Sequence, residues 1–379
     1  MTGVAIVGIG MHPFGRFEDK TVTEMGVEAV RAALGDAGDP EFQAAFCGTA
    51  YSGVAAGHKV LGALGRTGTP IVDVEAGCAS GGAALMLAAG AIRAGQYDCA
   101  LVFGIEKMPK GIIRSSFFEP WREEAGLAAT PAYFALRAQR LMRESGVTKD
   151  LLAQVVVKNR RQGVHNPDAM FRAEVTADEV LASRLVCEPL HLWMLCSPNE
   201  GAAAVVLRAA PARDGGGPGV TLVAATLRSH LPGSALHEGT PLSGLADDAD
   251  IPAPTTLAAT AAYEEAGLGP ADLDVVECQD TDAARELLSY EELELCPQGE
   301  SGEWIAEGVT ALGGRLPVNP SGGLLSKGEP LGASALGQVV ELTRQLRGGA
   351  GPRQVDGART ALGHTVGRGA NASVVLLQR

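Results

Sequence analysis

The sequence is poor in aromatic residues, carries no excess of positive charge and has no long uninterrupted apolar segment. Only 4% of its 379 residues are Phe, Trp or Tyr, and the formal net charge is −13. That charge opposes nucleic-acid binding, which requires a clustered basic surface. Each apolar stretch is interrupted before the ~20 residues that a membrane span requires, and the opening MTGVAIVGIG lacks the pattern of a cleaved signal peptide. We therefore expect a cytoplasmic protein that binds neither nucleic acid nor membrane.

Cysteine pairs of the CxxC type and Cys/His clusters are also missing from the sequence. Its cysteines are scattered, which indicates neither a zinc site nor a disulfide framework. We expect no bound metal ion, and we expect most of the cysteines to be small core residues. The seven are Cys47, Cys78, Cys99, Cys187, Cys196, Cys278 and Cys296.

The N-terminal part of the chain alternates between strand-like and helix-like segments. VAIVGIG is a short β-branched run that ends in Gly, and a helix is predicted over Thr23 to Leu34. AAFCGTAYSG, PIVDVEAGC and CALVFGIEKM then have the pattern of strands. This alternation predicts an α/β fold with a mostly parallel sheet buried on both faces. The length suffices for two domains or one duplicated fold.

Changes in composition divide the chain into two halves. From about Gly111 to Arg184 the sequence is charged, aromatic and helical, which predicts an inserted loop domain, and DGGGPG is the best linker because it contains no helix or strand former. We predict an N-terminal half over 1–212, with the insertion at about 111–184, and a C-terminal half over 217–379. The insertion and its flank hold basic residues that form either a site for a phosphate-bearing ligand or solvated helix faces. They are Lys107, Lys110, Arg114, Arg122, Arg137, Arg140, Arg143, Lys158, Arg160, Arg161, Arg172 and Arg184.

Two segments, one in each half, resemble each other. GCASGGAALMLAAGAIRAG begins at Gly77, and GEPLGASALGQVVELTRQLRG begins at Gly328. Both contain a turn, a helix start rich in small residues, an apolar stripe, and Arg and Gly at the end. Such self-similarity indicates duplication. The small residues allow the two helices to pack closely, buried between two sheets.

Cys78 gives the sharpest local signal for chemistry. It stands in VEAGCASGGAA, after a buried strand and at the start of a helix. The unpaired N–H groups and partial positive charge of a helix N-terminus lower the pKa of a thiol and can hold an oxyanion. The position suits a nucleophile, although most single cysteines of a cytoplasmic protein are structural.

The run GCASGGAALMLAAGAIRAGQYDCALVFGIEKM resembles the nucleophile region of the thiolase superfamily. TPAYFALRAQRLM, VVVKNRRQG, SPNEGAAAVVL and LPVNPSGGLLSKGEPLGASALGQVVEL are similar to the sterol-carrier-protein type and its bacterial lipid-transfer-protein relatives, including acetyl-CoA acetyltransferase-like chains. The resemblance implies an α/β fold of two duplicated βαβαβαββ halves in α-β-α-β-α layers. It also implies a functional Cys78, no tightly bound cofactor, coenzyme A as part of the substrate, and a homodimer or tetramer.

Two motifs depart from that family. Where such thiolases have an HDxF-like motif, this sequence has Gln279, Asp280, Thr281 and Asp282, and where they have GHP it has Gly328, Glu329 and Pro330. Glutamine cannot shuttle protons, although its amide can hold an oxygen. Glu329 is either a buried carboxylate tuned to act as a base or a backbone cap in a degenerate site.

The resemblance also directs attention to LGHTVGRGANASV near the C-terminus. Relatives place a catalytic Cys or His in this turn, near glycines whose N–H groups form an oxyanion hole. We expect His364 to be either the surviving imidazole or a structural residue, with Gly367 and Gly369 as the backbone donors.

Three functions remain open from the sequence. The leading one is retro-aldol cleavage of a β-hydroxyacyl-CoA, with Glu329 or His364 as the base and with Gln279 and the Gly367 turn holding the oxygen. The second is thiolytic or acyl-transfer chemistry with Cys78 as the acylated nucleophile. The third is a non-catalytic acyl-CoA or lipid carrier. The bacterial relatives include aldolases that act on steroid side chains, commonly beside a small OB-fold, zinc-ribbon partner, so the resemblance implies such a partner here.

Overall fold

The computed structural model describes residues 2–111, 121, 124, 130–210, 219–231, 251–367 and 371–379. Most strands within these residues join one nine-stranded sheet of order β3-β2-β4-β7-β1-β8-β11-β10-β9, and β5 pairs with β6 apart from it. The strands are β1 (Gly3–Gly15), β2 (Ala44–Gly48), β3 (Ile71–Val74), β4 (Cys99–Lys107), β5 (Leu185–Cys187), β6 (Leu190–His191), β7 (Glu200–Ala210), β8 (Val220–Ser229), β9 (Val275–Glu277), β10 (Thr360–Gly367) and β11 (Asn371–Gln378).

The α-helices of the described residues vary from one turn to nearly five. None of them is long and apolar enough to cross a membrane. They are α1 (Val22–Asp36), α2 (Ala56–Ala63), α3 (Ser80–Arg93), α4 (Thr130–Ser145), α5 (Lys149–Gly163), α6 (Ala177–Ala182), α7 (Pro254–Ala266), α8 (Ala283–Glu292), α9 (Ser301–Ala306), α10 (Gly323–Lys327) and α11 (Leu331–Arg347).

The sheet is mixed, so the prediction of a mostly parallel sheet was wrong. β2 pairs parallel with β3 and β4, and β9 pairs parallel with β10. The pairs β4–β7, β7–β1, β1–β8, β8–β11 and β11–β10 are antiparallel. The reason lies in the last two strands of the sheet in each half. β11 follows β10 without a helix between them, and the helices between β4 and β7 pack elsewhere. Neither pair has a crossover helix, so the two strands run in opposite directions.

Strand order in the two halves reveals the duplication. The N-terminal half has the order β3-β2-β4-β7-β1, and the C-terminal half has β9-β10-β11-β8. In the C-terminal half, Val318 forms a parallel bridge with Val276 of β9. Val318 thus has the place beside β9 that β3 has beside β2 in the N-terminal half. The halves join through a short β1–β8 pairing that includes Ala5 and Thr221.

Apolar side chains fill three layers around these strands. One cluster joins the outer face of the N-terminal half to α1 and α2. A second joins strands of both halves to α3 and α11, which form the middle layer. The third joins the outer face of the C-terminal half to α7 and α8 and to the inserted helices α4, α5 and α6. The predicted layered fold of duplicated halves is confirmed, and so is the packing of the two similar helices in its middle.

The inserted helices lie between β4 and β7, and many cations of the insertion and its flank form ion pairs with carboxylates. Residues 112–120, 122–123 and 125–129, which include Arg114 and Arg122, lie outside the described residues, as does 211–218, which contains most of the predicted linker. The domain boundaries and the phosphate site therefore stay predictions.

The paired cations are Lys107 with Glu200, Lys110 with Glu18, Arg137 with Asp282, Arg140 and Arg143 with Glu144, and Lys158 with Glu286.

Gly332 permits the start of α11 to reach the N-terminal half. A Cβ atom at this position would lie 2.6 Å from the carbonyl oxygens of both Gly48 and Ile105, at the ends of β2 and β4. Both obstacles are backbone atoms, which cannot rotate away. The close approach therefore requires glycine.

We predict that Gly332→Ala lowers the free energy of unfolding by about 1–3 kcal/mol, the usual cost of overpacking a core. Gly90→Ala is the matched control, because Gly90 also lies in a helix of the middle layer, yet a Cβ atom added there would meet no other described atom within 4 Å. It should raise stability by roughly 0.5–1 kcal/mol through helix propensity. Urea denaturation of both variants measures the difference, and equal effects would contradict the close approach.

Candidate active site

Cys78 lies where the sequence predicts, in the turn between β3 and α3. Gly77 has a φ of 60°, in the left-handed region that favours glycine, and α3 begins two residues after the cysteine. The Ser80 hydroxyl closes the turn, because it accepts the N–H of Ala76 at 2.9 Å and donates to the carbonyl of Gly77 at 2.6 Å. Cys78 itself is buried against Met108 and Leu331.

Glu329 occupies the corresponding position in the second half. It precedes α11 by two residues, as Cys78 precedes α3. The Ser334 hydroxyl on α11 donates to the backbone carbonyl of Cys78 at 3.4 Å. The start of α11, which Glu329 precedes, therefore contacts the Cys78 turn at the start of α3 in the middle layer.

A buried carboxylate fixes this meeting point. Glu106, at the end of β4, accepts the N–H groups of Ala50 and Tyr51 at 2.9 and 3.0 Å. It also accepts the N–H of Gly332, in the first turn of α11, at 3.2 Å. Burial raises the pKa of Glu106, while its hydrogen bonds act in the opposite direction. This carboxyl group ties the start of α11 to the N-terminal half.

Gln279 holds the carboxylate of Glu329. Its Nε2 atom donates to Glu329 Oε1 at 2.8 Å, and its Oε1 atom accepts the backbone N–H of Val366 at 2.7 Å. Because a backbone N–H can only donate, the second bond fixes which end of the amide is oxygen. The amide nitrogen is therefore directed at Glu329.

Cys196 also contacts Glu329, and sequence reasoning missed it. Its Sγ atom donates to Glu329 Oε2 at 3.4 Å. Burial raises the pKa of the Cys196 thiol well above its ordinary value, and the charges of Glu329, Asp280 and Cys78 raise it further. The sequence offered only a cysteine before Ser-Pro, a pattern that carries no sign of this contact.

The Asp280 carboxylate accepts hydrogen bonds from two backbone N–H groups and one side-chain amide. Its Oδ1 atom accepts the N–H of Leu324 at 2.6 Å, and Oδ2 accepts the N–H of Leu325 at 3.1 Å and the amide of Asn159 at 2.9 Å. Burial raises its pKa, with the charge of Glu286 as the next cause. These contacts hold α10 in place, so a catalytic role for Asp280 stays a prediction that the geometry does not favour.

His364 does not lie in a turn, which corrects the sequence-based expectation. It is inside β10 and pairs with Val374, because the ladder with β11 continues to Gly367. Its Nε2 atom lies 3.1 Å from the hydroxyl of Thr255 on α7, while the neighbouring Thr365 bonds to Gln338 on α11. Successive strand residues point to opposite faces, so the ring faces the outer layer rather than the middle one.

Gly367 does lie against the cysteine turn. A Cβ atom here would overlap the carbonyl oxygen of Ala76, two residues before Cys78. The end of β10 therefore approaches Cys78 as the prediction of a backbone donor requires. Gly369 lies outside the described residues, and the oxyanion role of both glycines stays a prediction.

Family models match both halves of the chain. The model of the thiolase N-terminal domain matches residues 4–210, and the model described as thiolase C-terminal domain-like matches residues 243–379. The chain belongs to the thiolase superfamily. The resemblance seen in the sequence is confirmed.

Thiolase relatives and structures support the same assignment. Sterol carrier protein 2 of Bos taurus is 36% identical over 98% of this chain and 72% of its own length. The acetyl-CoA acetyltransferase of Methanothermobacter thermautotrophicus is 36% identical over the whole of both chains. The structure of the Ltp2-ChsH2(DUF35) aldolase has a TM-score of 0.85 at 25% identity, covering 99% of this chain and 97% of that one. The protein is therefore an acyl-CoA enzyme of the thiolase superfamily, and its substrate carries coenzyme A.

The environment of His364 predicts that the stability of this thiolase-superfamily protein depends on pH. Burial lowers the pKa of His364 from 6.5 to about 3. The unfolded chain then binds more protons than the folded one between these values, so the free energy of unfolding falls as the pH falls through that window. Relative to His364→Gln, the wild type should lose on the order of 1 kcal/mol per pH unit between about pH 6 and pH 4.

Chemical denaturation at several pH values measures this difference. His58→Gln is the control, because His58 is exposed on α2 and should leave the pH dependence unchanged. A wild type and His364→Gln variant with parallel curves would show that the buried ring titrates normally.

Proposed function

We propose that the protein cleaves a β-hydroxyacyl-CoA by a retro-aldol reaction, with Glu329 as the general base. The observation that carries the proposal is a carboxylate, held by Gln279 and Cys196, at the helix start where the family resemblance implies an imidazole. The similarity to the Ltp2-ChsH2(DUF35) aldolase supports the same reaction class.

The reaction needs a base and an oxyanion site but no acyl-enzyme. Glu329 takes the proton of the β-hydroxyl group as the bond between Cα and Cβ breaks. The hydroxyl carbon leaves as an aldehyde or ketone, and the bonding electrons pass into the thioester as an enolate. The proton held by Glu329 then passes to Cα of the enolate, directly or through water, which releases the shortened acyl-CoA and returns Glu329 to its carboxylate form.

The thioester oxygen is assigned to the space between the Cys78 turn and the end of β10. The start of α3 supplies a positive helix terminus beside Cys78. Gly367, which lies against Ala76, is proposed to supply a backbone N–H group, and the same role for Gly369 rests on the family resemblance alone. Gln279 serves mainly to hold Glu329, because its amide oxygen and one amide hydrogen are engaged.

Acyl transfer through Cys78 is the second candidate. It is supported by the retained cysteine at a helix start and by the identity with an acetyl-CoA acetyltransferase over both whole chains. Glu329 would then be the base that takes the proton of the thiol. His364 gives this reading no support, because its ring bonds to Thr255 in the outer layer.

A partner subunit is part of the proposal. The name Ltp2-ChsH2(DUF35) aldolase joins two proteins in one enzyme, and the matched chain of that structure is covered almost completely by this one. We therefore propose that this chain works as an oligomer with a small second subunit of that kind, and that assays should include a genomic neighbour that encodes one.

The test is product analysis with a β-hydroxyacyl-CoA and, separately, with a β-ketoacyl-CoA plus free coenzyme A. We expect an aldehyde or ketone and a shortened acyl-CoA from the first substrate. Cys78→Ala should retain this cleavage, whereas Glu329→Gln should reduce kcat roughly 10²–10⁴-fold, because an amide cannot accept the proton. Glu303→Gln on α9, where the side chain is exposed, is the control and should retain full activity.

The alternatives give distinct results. Mass spectrometry that shows an acyl group on Cys78, together with coenzyme A-dependent turnover, would contradict the retro-aldol proposal and support acyl transfer. Binding of both substrates without turnover in either assay, with the partner present, would leave an acyl-CoA carrier.

A further inference from the structure

Two donors on separate oxygens fix the plane of the Glu329 carboxylate. Gln279 donates to Oε1 at 2.8 Å and Cys196 donates to Oε2 at 3.4 Å. The last torsion of a glutamate side chain is broad and roughly two-fold, so a donor on one oxygen restrains the plane of the carboxylate less than a donor on each oxygen does. Cys196 adds the donor on the second oxygen.

The backbone around Cys196 is fixed independently of its thiol. Its N–H donates to the carbonyl of Thr281 at 2.8 Å, and the next carbonyl, of Ser197, accepts the N–H of Glu329 at 2.9 Å. Bridges pair Leu195 with Asp282 and Pro198 with Glu329. The segment with Cys196 thus lies between the segments that carry Gln279 and Glu329, and a change of the side chain leaves these bonds in place.

The thiol has the protonation state that a donor needs. Burial raises its pKa well above the ordinary value, and the negative charge of Glu329 is the next cause. At neutral pH the group is therefore S–H rather than thiolate, which argues against a second nucleophile. An S–H donor is weak, so its effect lies in geometry rather than in binding strength.

We infer that Cys196 is a positioning residue that orients Glu329 as the base, an inference that rests on the proposed function. Its loss changes the alignment of the carboxylate with the substrate hydroxyl and leaves the binding of coenzyme A intact. Because small displacements of reacting groups cost up to 10²-fold in rate, removal of the donor should lower kcat by roughly 10-fold. KM should stay within about two-fold, since uniform binding is unaffected.

The test compares Cys196→Ala with Cys196→Ser on the β-hydroxyacyl-CoA substrate. The hydroxyl of Ser retains a donor, so Cys196→Ser should recover at least a third of the wild-type kcat, whereas Cys196→Ala should not. Cys47→Ala is the matched control, because Cys47 is a fully buried cysteine in the outer core of the N-terminal half. In a Glu329→Gln background, Cys196→Ala should cause no further loss.

A crystal structure of Cys196→Ala separates failure of this inference from failure of the proposed reaction. The Glu329 carboxylate should be rotated or split between two orientations, with the Gln279 bond retained, whatever reaction the enzyme catalyses. An unmoved carboxylate, an unchanged kcat, or equal losses in the Ala and Ser variants would overturn the inference. Absence of retro-aldol turnover in the wild type would overturn the proposed function alone.

Discussion

The site depends on the hydrogen bond between the amide of Gln279 and the carboxylate of Glu329, 2.8 Å long. The amide is held in turn by the backbone N–H of Val366, so the bond joins the end of β9, the start of α11 and β10. These contacts come from positions 50 and 87 residues apart in the sequence. This chain of bonds directs one oxygen of the Glu329 carboxylate toward the Gln279 amide.

Duplication explains why Cys78 and Glu329, the two candidate catalytic residues, precede helix starts that contact each other. Cys78 and Glu329 stand at the same place in the two halves, each two residues before a middle-layer helix. Gly332 allows the second helix to approach β2 and β4 closely, and Glu106 ties its first turn to the N-terminal half. The fold thus brings two helix starts together in the middle layer, and under the proposed function the residue that precedes each of them decides the chemistry.

The sequence predicted the local features well and the long-range ones poorly. The position of Cys78 before a helix was predicted because a strand, a glycine and a helix start follow one another directly, and the two similar helix starts were visible by comparison. Cys196 was missed because its contact with Glu329 spans 133 positions and arises from a bridge between two loops. His364 was placed in a turn because nearby glycines suggested one, whereas the pairing of β10 with β11 extends past it. The prediction of a mostly parallel sheet was wrong because the periodicity of a segment does not indicate the direction in which a strand pairs.

A double-mutant cycle on kcat/KM with Gln279→Ala, Glu329→Gln and the double variant tests the central claim most directly. If Gln279 acts through Glu329, the double variant should be no slower than Glu329→Gln alone, with a coupling free energy of roughly 1–3 kcal/mol. Fully additive losses would show that the two residues act separately, and would contradict the account of a base held in place by its neighbouring amide.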